Sequence, residues 1–156
     1  VAVGIALAKK LDQDPHIVYC NTGDGELQEG QIWEAVMFAA HQKTDNLLVT
    51  VDFNLQQIDG STVDVMGLSE FGSKFASFGW EVLHMNGNDM EDILLVIPQA
   101  QAKLGNGKPV VVIMKTEMGE GVDFMTGTHA WHGKAPNDEQ FAKAMAQLQE
   151  TPLGDY

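Results

Sequence analysis

The sequence contains no arginine: its nine basic residues are all lysines, set against 22 Asp and Glu for a formal net charge of −13. That balance argues against a nucleic-acid partner, whose affinity rests on basic patches. It also removes the guanidinium fork that usually grips phosphate bidentately. Any phosphate held here must rest on a metal ion, backbone N–H groups, lysine or histidine, and an acidic chain holding a phosphorylated ligand all but requires a cation between the two. There is one cysteine, Cys20, inside an apolar run. It rules out an internal disulfide framework and points to a reducing, cytoplasmic setting, with Cys20 a small core residue. No apolar stretch approaches the ~18 residues of a membrane span, so a bilayer is not an expected partner.

What is present describes an ordinary globule. At 156 residues, 44% hydrophobic and 20% charged, the chain reads as a single domain over residues 1–156, able to bury roughly 70% of its unfolded surface. Its opening, VAVGIALAKKL, has the composition of an apolar helix without an N-cap or an initiating Met. The expectation is a domain truncated at its N-terminus, with further sequence upstream.

The stretch from His16 to Gly60 carries the chemistry. An apolar run, Ile17 to Cys20, meets Gly23-Asp24-Gly25; a helical segment follows Gly30; a second apolar run, Leu47 to Val51, closes on Asp52-Phe53-Asn54. Strand, loop, helix and strand in that order make a βαβ unit. Parallel strands then bring Asp24 and Asn54 to one edge of the sheet, where open α/β sheets bind ligands. A carboxylate and an amide oxygen converging there suit a small, hard divalent cation. Gly23 and Gly25 would let the backbone turn sharply and approach a ligand. Asp52 and Asp59 read as turn and loop chemistry, and Glu29 has the simple alternative of a first-turn helix acid.

The helix after Gly30 is apolar nearly all round, with Trp33, Met37 and Phe38 outside its main stripe. Two readings stay open: a second side covered by another chain, or a central helix within this domain. Ser61 to Gly67 reads as loop, Ser69-Glu70 to Phe78 as a weak helix, and Trp80 to Met85 as a strand. Asn88 or Asp89 caps a helix to Leu104 that Pro98 should kink or shorten, and Pro109 to Met114 is another buried strand. Lys115 to Pro136 has no period and holds His129 and His132; aperiodic loops of ~20 residues are uncommon and usually functional or disordered. Asn137-Asp138 cap a last helix, Glu139 to Gln149, with Phe141, Ala144, Met145 and Leu148 on one face. The tail after Thr151 is expected to fray. His16, His41 and His84 read as solvent or packing residues.

GDG followed about 30 residues later by Asn54 resembles the motif of thiamin diphosphate enzymes. Pyruvate-dehydrogenase-type and deoxyxylulose-phosphate-synthase-type enzymes share that frame, but GDGELQEGQIWEAVMFAAHQKTDNLLVTVDFNLQQIDG and the later HAWHGKAP are most similar to transketolase. The resemblance implies an α/β fold, a parallel sheet flanked by helices that forms the diphosphate-binding domain. It implies thiamin diphosphate and Mg²⁺, with Ca²⁺ or Mn²⁺ as substitutes. Asp24, Asn54 and the backbone carbonyl of Gln56 would ligate the metal. Gly23, Gly25 and Glu26 would line the diphosphate, helped by the positive end of the following helix, and Ile58 would pack on the cofactor rings. His132 would reach the diphosphate or the sugar, with His129 beside it. Glu29, grouped with His132 as catalytic, would couple to a glutamate of another domain. The implied reaction moves a two-carbon ketol unit from a ketose phosphate to an aldose phosphate. The implied partners are sugar phosphates and a pyrimidine-binding domain or subunit, in a dimer or heterotetramer; that domain and the C-terminal one are absent here, so this chain should not catalyse alone. The alternatives are a related pyruvate-using enzyme and a non-catalytic binding or assembly module on the same scaffold.

Overall fold

The computed structural model describes residues 1–148. Along the chain it places α1 (Ala2–Leu11), β1 (Val18–Gly23), a 3-10 turn (Glu26–Gln28), α2 (Gly30–His41), β2 (Leu47–Phe53) and a short hairpin of β3 (Gln56–Gln57) and β4 (Gly60–Ser61). These are followed by α3 (Thr62–Met66), α4 (Phe71–Ser77), β5 (Glu81–Asn86), α5 (Met90–Ala102), β6 (Val110–Lys115), a second 3-10 turn (His129–Trp131) and α6 (Asp138–Gln147). The main sheet runs β1-β2-β6-β5 with every pairing parallel.

Period-two alternation explains why both faces are covered. Leu47, Val49 and Val51 of β2 and Val111 and Ile113 of β6 face one side, against Ala6, Val36, Ala39, Phe71 and Phe75. Leu48, Val110 and Val112 face the other, against Val96 and Ala100 of α5. Continuous apolar strands of this kind belong to parallel sheets sandwiched between helices. The first face is fixed by aromatics: Trp80 meets Phe75 edge-on at 5.3 Å and donates its indole N–H to the Val36 carbonyl at 3.0 Å. Burying a side chain the size of Phe75 contributes about 1.5–3 kcal/mol.

Several expectations need correction. Ser61 to Gly67 is not loop, because α3 forms there: Ser61 accepts the Asp64 N–H at 3.1 Å and caps it. Pro98 sits inside α5, which ends at Ala102 rather than Leu104; the carbonyl its ring leaves without a donor belongs to Leu94, which is exposed. The described residues do not enclose α2, since Met37 and Phe38 stay about half exposed at 48% and 47%. The last helix starts on a capping box set by Asn137 and Gln140 and ends at Gln147. Of its apolar face only Ala144 is buried, with Phe141 and Met145 open. Gln149 and the tail lie outside the described residues.

Candidate functional site

The register of the first two strands builds the site. Gly23 pairs with Asp52, so β1 and β2 end level, and the Asp24 N–H extends the ladder by donating to the Asp52 carbonyl at 3.0 Å. Asp24 is therefore delivered directly beside the 52–55 segment. Its side chain is 1% exposed. Oδ2 accepts the Leu55 N–H at 2.8 Å and the Thr62 hydroxyl at 3.4 Å. Burial pushes the Asp24 carboxyl above the ordinary carboxylate range and the nearby Asp52 adds to it, against the Leu55 and Gly25 amides and Thr62, which pull it down.

Asn54 is held at both ends. Its Nδ2 donates to Asp52 Oδ2 at 3.1 Å, and its Oδ1 accepts the Gln56 N–H at 2.8 Å. Leu55, between them, adopts the left-handed conformation at φ 62, which costs a branched residue roughly 1–2 kcal/mol. Two bonds hold it there: its N–H to Asp24, and its carbonyl accepting the Thr62 N–H at 3.0 Å. Strain of this kind clusters at functional sites.

The glycine turn works differently from expectation. Gly25 has φ −64, an ordinary right-handed conformation. What it provides is room, because a Cβ there would lie 3.0 Å from Gln57 Oε1 and 3.1 Å from Gln57 Cβ. The element directly after Gly25 is the three-residue 3-10 turn; α2 starts only at Gly30, with Glu29 as its exposed N-cap residue. The Glu26 carboxylate accepts the Gly23 N–H at 2.7 Å and so braces the turn itself.

A cavity of about 570 Å³ opens over this edge, lined by Asn54, Asp52, Asn21, Thr116, Trp131 and His132 among others. It brings His132 and Asn54 to one opening. His129 is exposed in the second 3-10 turn and does not line it; Ile58 projects from the hairpin at 72% exposure. A larger concavity of about 970 Å³, between α4 and the ends of β5 and β6, shares Asn88, Thr116 and Glu117 with the first but contains neither Asp24 nor Asn54. The smaller one holds Asn54 and Asp52, while Asp24 is buried behind the 52–55 segment and lines neither. The aperiodic loop is ordered around Trp131, whose indole N–H donates to the Phe124 carbonyl at 2.8 Å and whose ring stacks beneath Lys134 at 4.9 Å.

Sequence reasoning missed three contributors. Asp52 is more than turn chemistry: its carboxylate accepts from Asn54 and from the Thr116 hydroxyl. Thr62, buried at the start of α3, supports Asp24. The Ser61-x-x-Asp64 pattern is a helix-start signal that identifies α3; nothing local marks Thr116. Among the described residues no group of three or more His, Cys, Asp or Glu could hold a metal.

Residues 6–153 match the family description "Transketolase, thiamine diphosphate binding domain". The chain belongs to the transketolase family. Among its transketolase relatives, a subunit of the apulose-4-phosphate transketolase of Phocaeicola vulgatus is 40% identical over 150 residues, covering 96% of this chain and 53% of that protein. A 6-deoxy-6-sulfo-D-fructose transketolase subunit from a Clostridium species is 38% identical over 149 residues, with 96% and 54% covered. The chain thus spans about half the length of these curated relatives. Among solved structures, the transketolase of Campylobacter jejuni superposes with a TM-score of 0.83 at 36% identity, over 94% of this chain and 24% of that one. The parallel sheet flanked by helices is the transketolase N-terminal fold.

Proposed function

We propose that this chain supplies the diphosphate- and cation-binding half of a transketolase-type enzyme. The observation that carries the reading is the convergence of Asp24 and Asn54 at the level ends of β1 and β2, with Asp24 Oδ2 only 2.8 Å from the amide of the residue after Asn54. Asp24 is buried with no lysine or histidine paired to it among the described residues. A divalent cation would neutralise that carboxylate, and Mg²⁺ characteristically takes one or two protein oxygens together with substrate phosphates. Among the described residues no three His, Cys, Asp or Glu cluster, so in this mode the diphosphate must complete the shell.

In this reading Asp24, the Asn54 oxygen and the Gln56 carbonyl hold Mg²⁺, while the Gly25 backbone lies close to the diphosphate. Ile58 offers an exposed apolar surface to the cofactor rings. His132, at the mouth of the cavity, donates to the diphosphate or to a sugar hydroxyl, and His129 lies farther along the same turn. Glu29 faces outward at the N-terminus of α2 and couples to a carboxylate of the pyrimidine-binding partner, whose docking also covers Met37 and Phe38. Thiamin diphosphate, when bound, supplies the electron sink that a carbon–carbon transfer needs. Two relatives are named for apulose-4-phosphate and 6-deoxy-6-sulfo-D-fructose, so the substrate class is a sugar carrying a phosphate or a sulfonate. With no arginine in this chain, the anionic end of the sugar is gripped by the partner.

The test is reconstitution. The chain is mixed with a pyrimidine-domain subunit, thiamin diphosphate and Mg²⁺, then assayed against ketose phosphates, a sulfo-ketose and pyruvate. Ketol transfer from a sugar donor supports the reading. Turnover of pyruvate alone replaces it with a related enzyme, and cofactor binding without turnover of any of these replaces it with a non-catalytic module.

A further inference from the structure

We propose that Asp52 is the positioning residue of this site: it selects which end of the Asn54 amide is presented, and ties that amide to the loop bearing His132. The proposal rests on the thiamin diphosphate reading above. Asp52 makes three separate connections. Its backbone oxygen accepts the Asp24 N–H at 3.0 Å, Oδ2 accepts Asn54 Nδ2 at 3.1 Å, and Oδ1 accepts the Thr116 hydroxyl. Thr116 is the first residue beyond β6, and its own N–H donates to the Phe53 carbonyl at 3.2 Å. One residue therefore joins the Asp24 turn, Asn54, and the origin of the segment that leads to Trp131 and His132.

An ionised carboxylate only accepts, so Asp52 can be satisfied only by the NH₂ end of Asn54. The Asn54 oxygen is then turned away, where it accepts the Gln56 N–H at 2.8 Å and keeps a second lone pair. Turning the amide over would set two oxygens against each other at Asp52 and two N–H groups against each other at Gln56. Both contacts would become repulsive. The oxygen that a hard cation needs is thus selected by an acceptor that does not itself touch the cation. Residues of this kind typically change metal affinity 10–100-fold when removed.

Two substitutions separate orientation from charge. Asp52→Ala removes the acceptor and leaves the amide held at its oxygen end alone, by the Gln56 N–H. Asp52→Asn removes the charge but still offers one oxygen to Asn54, because the Thr116 hydroxyl can turn to accept from the new NH₂ group. The first readout needs no ligand: the side-chain NH₂ resonances of Asn54 in the full chain, by NMR. Slow exchange with water in wild type and Asp52→Asn, lost in Asp52→Ala, is the expected result. The second is calorimetric affinity for thiamin diphosphate with Mg²⁺, expected to fall about 10–100-fold in Asp52→Ala and to be largely retained in Asp52→Asn. Equal losses in both variants would show that charge rather than orientation matters and overturn the proposal. So would an Asp52→Ala chain with wild-type amide exchange. A wild-type chain that binds no cofactor but shows the expected amide behaviour would sink the functional reading and leave the positioning role standing.

Discussion

Replacing Asp24 with asparagine should stabilise the chain when it is free of cation and remove its response when cation and cofactor are supplied. Asp24 is 1% exposed and shares its corner with Asp52, with no cationic side chain paired to it among the described residues. A buried, uncompensated carboxylate costs several kcal/mol even after relaxation. Asparagine is isosteric, so its oxygen in the place of Oδ2 can still accept both the Leu55 N–H and the Thr62 hydroxyl. The exchange of a charged for a neutral acceptor loses about 1 kcal/mol. A net gain of about 1–2 kcal/mol remains, within the range seen when function-related strain is relieved. For a chain of this size that raises Tm by about 2–8 °C.

The pH dependence follows from the direction of the shift. Burial holds the folded Asp24 pKa above its unfolded value. Its stabilising contribution is therefore complete below the unfolded value of about 3.9 and is lost as pH rises through the folded one. The advantage of the asparagine variant should grow across that window and then level off. With Mg²⁺ and thiamin diphosphate at about 100 times Kd, wild type gains about 2.7 kcal/mol and the variant gains nothing, so the order of stability reverses. Thermal unfolding followed by circular dichroism, with and without both ligands, reads all of this. An asparagine variant that melts below wild type without cation, or gains as much with it, refutes the reasoning.

Gly25→Ala should weaken cofactor binding without disturbing the backbone, because the new Cβ meets the Gln57 side chain at 3.0 Å; Gln57→Gly should restore part of the loss, with a coupling of about 0.5–3 kcal/mol in a double-mutant cycle. Phe75→Ala, at the centre of the aromatic group with Trp33 and Trp80, should cost about 3–5 kcal/mol in denaturant unfolding. Gln28→Ala should open α3 locally, since Gln28 Nε2 donates to the Thr62 and Met66 carbonyls; faster amide exchange confined to α3 and the adjoining hairpin is the expected signature.

Much of this was legible because the informative residues sit where strands end. Leu47 to Val51 read as a strand covered on both faces, as observed, and that reading placed Asp24 and Asn54 at one edge of the sheet. The acid at Asp52 was misjudged for the same reason: a carboxylate at a strand end looks like turn chemistry, and its partner Thr116 is 64 residues away. The left-handed Leu55 carried no signal, because glycine or asparagine is what such a position ordinarily shows. Gly25 was legible as a position needing glycine, but the close approach of Gln57 to it leaves no trace in local sequence. The all-round apolar α2 left open what covers its second side, and Met37 and Phe38 stay about half exposed among the described residues.

The central claim is that Asp24 and Asn54 grasp one cation for the diphosphate. A crystal of the chain soaked with thiamin diphosphate and Mn²⁺, examined for manganese anomalous scattering, tests it most directly. The account predicts a single peak about 2.0–2.2 Å from oxygens of Asp24, Asn54 and the diphosphate. Cofactor bound with no peak between those two side chains would contradict it.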